Sequence, residues 1–205
     1  MNHFRTAKTG LIKAQPIGLN DAAAVHEVIA SAFNADPVWS WAFPEPYPRN
    51  RCLEWLIRAA SRFSHIYKTT HLEAVSVWIP PGENEFTERQ EARIPGLLAE
   101  LAGSRAADIE ELLQRFETAH PRTEPHYYLS ILACHPKHAG RGLGMALLKE
   151  NLARIDAQCL PAYLESSNPV NNQKYESVGF KAVSSFQTPG NGPTITCMWR
   201  DKIKA

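Results

Sequence analysis

The stretch HPKHAGRGLGMALLKE, His135 to Glu150, decides how this chain is read. It sets Gly140, Gly142 and Gly144 at alternate positions directly ahead of a helical pattern, and the apolar run YYLSILAC (Tyr127–Cys134) comes just before it. A strand that passes through residues without side chains into a helix lets something approach the backbone closely. Spacing separates three readings of the turn. A P-loop needs GxxxxGK[ST], and no lysine follows a glycine at that distance. A dinucleotide fingerprint needs a third Gly or Ala; counted from Gly140 that position is Met145, and from Gly142 it is Leu147, so both counts fail. The residues between Cys134 and Gly140 also make the turn too long. What remains is a turn whose successive N–H groups face one concavity at a helix N-terminus. Such a nest holds a pyrophosphate with the help of the helix dipole. Arg141 can add a cation nearby. On the turn alone, a glycine turn without a ligand stays open.

The rest of the chain narrows the setting. With 205 residues, 44% of them hydrophobic, it can bury one full-sized α/β core. A net charge of +1 with 21% charged residues offers no basic face, so nucleic acid is excluded as a partner. No apolar run approaches a membrane span, and the N-terminal MNHFRTAKTG lacks an apolar leader. Cys52, Cys134, Cys159 and Cys197 are scattered without CxxC pairing, which reads as reduced thiols in a cytoplasmic protein.

Hydrophobic periodicity predicts a helix over IGLNDAAAVHEVIASAF, with Asn20 or Asp21 as N-cap, and a second over CLEWLIRAASRF. Between them NADPVWSWAFPEPYPR carries four prolines and reads as a fixed aromatic loop. EAVSVWIPPG is a strand stopped by a turn, GENEFTERQEARIP a solvated loop, and GLLAELAG and AADIEELLQRFETAH are helices. Then come strand Tyr127–Cys134, helix Leu143–Ala157, strand Pro161–Ser166, a short helix Asn171–Val178 closed by Gly179, and strands Phe180–Phe186 and Thr194–Trp199.

Two motifs in the C-terminal half resemble the GNAT superfamily of N-acetyltransferases. Its pyrophosphate segment, (R/Q)-x-x-G-x-(G/A), matches Ala139-Gly140-Arg141-Gly142-Leu143-Gly144; both required glycines are present, and Ala139 stands where the family has Arg or Gln. Its second signature matches Asn171, Tyr175, Gly179 and Phe180 in NNQKYESVGF. From about Glu73 to Trp199 the chain is also similar to puromycin N-acetyltransferase and its relatives.

The resemblance implies a single α/β (α+β) domain over residues 1–205. It has one mixed, mostly antiparallel central sheet flanked by helices, with splayed strands at the cofactor site. An acceptor-shaping part covers about 1–72 and an acetyl-CoA-binding core about 126–199. The implied cofactor is acetyl-CoA. Leu132, Ala133 and Cys134 would bond it through their backbone, Ala139, Gly140, Arg141, Gly142, Leu143, Gly144 and Met145 would wrap its pyrophosphate, and Asn171 would meet its pantetheine. The implied activity is direct acetyl transfer, in a ternary complex, to the amine of a small molecule such as a puromycin-like aminonucleoside or another toxic amine. Acetylation of a peptide or protein amine, and a non-catalytic CoA-binding regulatory module, are the alternatives. A monomer or homodimer is expected.

Chemistry assigns candidate roles. A phenol keeps its proton at neutral pH and can donate to a departing thiolate, which suits Tyr175, one turn after Asn171 on the same face. Glu165, at the end of its strand, is the candidate base; a carboxylate bonded to Ser166 or Ser167 is the plainer reading. Asp36, Trp39, Trp41 and Phe43 either line an acceptor pocket or cap the core. A covalent route through Cys134 would need a lowered thiol pKa. His135 and His138 lack further ligands for a metal, so no metal site is expected.

Overall fold

The computed structural model describes residues 13–203; MNHFRTAKTG lies outside them. In chain order the elements are β1 (Gln15–Pro16), α1 (Ala22–Phe33), α2 (Pro37–Ala42), α3 (Pro46–Ala60), β2 (Ile66–Lys68), β3 (Ala74–Ile79), α4 (Glu88–Glu91), α5 (Ile94–Ala102), α6 (Ala106–Ala119), β4 (Tyr127–Cys134), α7 (Leu143–Asp156), β5 (Ala162–Ser166), α8 (Asn172–Glu176), β6 (Lys181–Gln187) and β7 (Thr194–Arg200). The described strands form one seven-stranded sheet in the order β1-β2-β3-β4-β5-β7-β6. Every neighbouring pair is antiparallel except β4–β5.

The prolines between the first two predicted helices start helices rather than prevent them. Pro37 and Pro46 occupy the first turns of α2 and α3, where the missing N–H would have no partner and the fixed φ is already helical. Asp36 caps α2, its Oδ1 accepting from the Val38 and Trp39 N–H groups at 3.0 Å each. The expected aromatic loop is therefore the capped helix α2 followed by the proline-started first turn of α3. At α1, Asp21 stands at the N-cap position without a side-chain cap bond; its Oδ2 accepts from the Gly18 N–H at 2.7 Å instead.

All six residues of β3 are buried, because helices cover both sides of this central strand. Val25, Ile29, Leu53 and Ile57 of α1 and α3 share a core with Val75, Val77 and Ile131. Leu148, Leu152 and Ile155 of α7 pack with Trp78, Leu129 and Leu164. Asn151 ties α7 to β3 inside that core, its Oδ1 accepting from Ser76 Oγ at 2.7 Å and Trp78 Nε1 at 3.1 Å.

The end of β7 is fixed to the end of α7 by a bidentate pair. Arg200 Nη1 and Nη2 reach Asp156 Oδ1 and Oδ2 at 2.5 and 2.9 Å, and Arg200 Nε donates to the Val178 carbonyl at 2.9 Å. Arg200 is buried, so removing its carboxylate strands a charge. Asp156→Ala is expected to lose about 3 kcal/mol of unfolding free energy in urea titration; a loss below about 0.5 kcal/mol would mean that solvent already screens the pair.

Candidate active site

The site starts where β4 leaves β5. The two strands pair only at Tyr127–Ala162, Tyr128–Tyr163 and Leu129–Leu164, while β4 continues to Cys134 along β3. Ser130 to Cys134 thus have a partner strand on one side only. The His135 N–H donates to the Glu73 carbonyl at 2.9 Å. Alternation in an antiparallel ladder then turns the backbone groups of Ile131 and Ala133 toward β3 and those of Leu132 and Cys134 into the gap.

A cavity of about 1820 Å³ opens along this gap. Leu132, Cys134, Gly140, Gly142, Gly144 and Met145 line one end of it. Gly140 and Gly142 take φ of +76° and +74°, a region that disfavours side chains, and a Cβ on either would project into open space. The helical bonds of α7 begin with the Ala146 N–H to the Gly142 carbonyl at 2.9 Å, so the N–H groups of Leu143, Gly144 and Met145 form the first turn of the helix, without intrahelical acceptors. An open strand edge leading into a side-chain-free concavity at a helix N-terminus fits an extended, pyrophosphate-bearing ligand such as acetyl-CoA. Ala139 lines the same end and contributes no polar side-chain group. Ala133 lies in the ladder with β3. Arg141 projects to the surface, where its Nη1 bonds His138 Nδ1 at 3.0 Å; neither it nor Ala133 lines the cavity.

Tyr175 lines the middle of the cavity, its ring packed edge-on against Phe180 with centroids 6.3 Å apart. Among the described residues its hydroxyl has no hydrogen-bond partner, so it is not a core tyrosine tied to backbone. Burial, and then the charge of Asp36, push its pKa up to about 12. Asn171 stands at the N-cap of α8 but makes no capping bond; its Oδ1 accepts from Lys174 Nζ at 2.8 Å. Burial raises the Cys134 thiol above its ordinary range, the opposite of what a nucleophile needs. His135 and His138 are spent on local bonds, and the described residues contain no cluster of three metal-ligating side chains.

The other end of the cavity is acidic and aromatic. Trp39 and Phe43 line it, their rings stacked with centroids 6.3 Å apart. Trp41 points elsewhere, under the guanidinium of Arg105. Asp36 caps α2 with one oxygen, and its Oδ2 accepts from Ser167 Oγ at 2.6 Å. Ser166 Oγ donates to the Asn168 carbonyl at 3.1 Å, so neither serine engages Glu165. The Glu165 side chain is only 3% exposed. Its Oε2 is buried without a partner, and its Oε1 lies 3.6 Å from His120 Nδ1.

The segment read as a solvated loop supplies a second, half-buried carboxyl. Glu85 accepts a short hydrogen bond from Ser130 Oγ in the cavity wall, and the neighbouring Phe86 packs on Trp55 with centroids 4.8 Å apart. That lone phenylalanine inside GENEFTERQEAR was the available signal. Burial, and the charge of Glu165, raise the Glu85 pKa from 4.5 to about 7. Tyr128, beside both carboxyls, is held well above the ordinary phenol range by burial and by their charges.

Glu85 gives the fold a pH dependence. Its folded pKa is raised, so between pH about 4.5 and about 7 the folded chain binds more protons than the unfolded one, and stability falls as pH rises through that window. Glu85→Gln keeps an acceptor for Ser130 and lacks this loss. The variant should gain roughly 2–3 kcal/mol relative to the parent between pH 5 and pH 8 in urea titrations; an unchanged difference would mean that Glu85 ionises normally.

No family model matches the chain. Among solved structures it is similar to the "histone acetyltransferase HPA2 and related acetyltransferase" of Corynebacterium glutamicum, at 21% identity and a TM-score of 0.64, covering 96% of this chain and 99% of that one. It is similar to agmatine N-acetyltransferase in a mutant apo form, at 14% identity and a TM-score of 0.70, covering 94% and 100%. It is also similar to the Drosophila melanogaster polyamine N-acetyltransferase, which forms N-acetylagmatine, at 15% identity and a TM-score of 0.67, covering 93% and 99%. The property shared at these identities is the fold, a mixed and mostly antiparallel sheet flanked by helices, which is that of the GNAT acetyltransferases.

Proposed function

We propose that this chain is an acetyl-CoA-dependent N-acetyltransferase acting on the amine of a small cationic molecule by direct transfer in a ternary complex. The observation that carries this reading is the gap between β4 and β5, which runs straight into the positive-φ glycine turn. Acetyl-CoA, when bound, supplies an acetyl group activated as a thioester.

The backbone N–H groups over Gly140–Met145 hold the pyrophosphate, and the turned-out backbone of Leu132 and Cys134 bonds the pantetheine as a strand would. The Cys134 N–H polarises the acetyl carbonyl. The Asn171 carboxamide adds a bond to the pantetheine. Tyr175 keeps its phenolic proton throughout the neutral range and gives it to the leaving sulfur. Glu165 Oε2 takes the proton that the acceptor ammonium must lose before it attacks. Trp39 and Phe43 supply a stacking face for a flat part of the acceptor, and Asp36 and Glu85 favour a cation.

A small amine is supported by the acidic end of the cavity and by the amines named for two of the similar structures. A puromycin-like aminonucleoside also suits the aromatic wall. Acetylation of a peptide amine has less support, because α2 and the Glu85 segment line the acceptor end. A non-catalytic CoA-binding module would leave the buried, unpartnered Glu165 oxygen without a task.

The test is CoA release from acetyl-CoA across puromycin, aminoglycosides, polyamines, arylalkylamines and short peptides, with mass spectrometry of each product. Turnover of a small amine with one added acetyl group is the expected result. Acetyl-CoA binding without turnover of any amine would favour the non-catalytic module.

A further inference from the structure

The glycine turn that would receive a pyrophosphate carries no side-chain cation of its own. Ala139 contributes no polar group, and Arg141 is turned to the surface, bonded to His138. Backbone N–H groups and the dipole of α7 are what the turn offers an anion. Strands β4 and β5 are parallel, so their carboxyl ends point the same way, and the starts of α7 and α8 face each other across the gap. The α8 side does carry a cation. Of the lysines and arginines among the described residues, Arg122 and Lys174 line the cavity. Arg122 is paired with Glu117. Lys174 has no carboxylate partner among the described residues; its Nζ donates to Asn171 Oδ1 at 2.8 Å.

Cys134 fixes where that cation stands. A Cβ on Gly144 would lie 3.6 Å from the Cys134 Cβ, so Cys134 abuts the first turn of α7. Burial raises the Cys134 thiol, while the Gly144 N–H and the charges of Arg141 and Lys174 pull it down. The Lys174 charge is therefore felt at the residue that touches the cradle. We propose that Lys174 binds the cofactor: its ammonium meets the pyrophosphate of acetyl-CoA from the α8 side and supplies the cation that the glycine turn lacks. This rests on the acetyltransferase reading. An ammonium only donates, so Asn171 keeps its Oδ1 toward Lys174, and the remaining Lys174 N–H groups are free for phosphate oxygens. The Lys174 side chain is exposed, so its charge is hydrated before the cofactor arrives, and the ion pair it forms is screened by salt. A charge-assisted bond of this kind, open to water on one side, is worth about tenfold in affinity.

Calorimetric titration of the full chain with CoA, and with dephospho-CoA, which lacks the ribose phosphate, tests this without turnover. Lys174→Gln keeps a donor for Asn171 and removes the charge; Lys174→Arg keeps the charge. Lys174→Gln should weaken both ligands equally, by about tenfold, and Lys174→Arg should stay within about twofold of the parent. Added sodium chloride should weaken CoA binding by the parent more than by Lys174→Gln. Unchanged affinity in Lys174→Gln overturns the assignment. So does a loss confined to CoA, which would place Lys174 on the ribose phosphate, and so does an equal loss in both variants, which would make its role one of shape rather than charge. Failure of the acetyltransferase reading would show differently. A chain that binds CoA and responds to Lys174→Gln as expected, yet acetylates no amine, would lose that reading and keep this assignment; a parent that binds neither ligand would lose both.

Discussion

Tyr175→Phe is expected to lower acetyl transfer to an accepted amine by about a hundredfold or more, with acetyl-CoA affinity within about twofold of the parent's. The ring is held by Phe180, and the hydroxyl contributes no protein hydrogen bond among the described residues, so the change leaves packing intact. What it removes is the proton on an oxygen that faces the cavity. With its pKa at about 12 this phenol remains protonated across the assay range, so the parent should show no alkaline loss of kcat from Tyr175 below about pH 11. Stopped-flow measurement of CoA release, with calorimetric titration of acetyl-CoA, checks both halves. Unchanged kcat would remove Tyr175 from the acid role.

Gly142→Val is expected to abolish acetyl-CoA binding at concentrations that saturate the parent, with affinity down at least about a hundredfold. The argument has two parts. A β-branched residue at φ +74° strains the backbone by about 1–2 kcal/mol, which a folded domain tolerates. A Cβ there meets nothing within 4 Å, so the chain is expected to fold, but the side chain would fill the concavity proposed for the pyrophosphate. Gly190→Val is the control. Gly190 is left-handed like Gly142 (φ +70°, ψ +28°), has open space, and is not part of the cavity lining, so the variant carries comparable strain without touching the cradle. Equal loss of affinity in both variants would assign the effect to stability rather than to the turn.

The parts legible in the sequence were those with a local cause. Tyr127–Cys134 alternates and stops where predicted, the glycine turn follows it, and the helix from Leu143 ends within one residue of its expected bound. The short strands β1 and β2 were not legible, because two or three residues carry no period. The prolines were misread because their effect depends on position: at the first turn of a helix they help, and Asp36 before Pro37 was the cue. The acidic end of the site was half visible. Glu165 sits at a strand end, and its place was readable. Glu85 comes from a charged run, and His120 from the last residue of a helical pattern; nothing in either stretch says that it folds inward against a carboxylate 45 residues and more away in sequence. Burial of a polar group is a tertiary fact, and here it is what sets the chemistry.

The central claim is direct transfer from acetyl-CoA to an amine within the β4–β5 gap. The measurement that tests it most directly is a single-turnover quench of the full chain with acetyl-radiolabelled acetyl-CoA and the best amine of the panel. The account predicts that label passes to the amine in one step and that the quenched protein carries none, Cys134 included. Label retained on the protein before it reaches the amine, or label that never leaves acetyl-CoA with any amine, would contradict it.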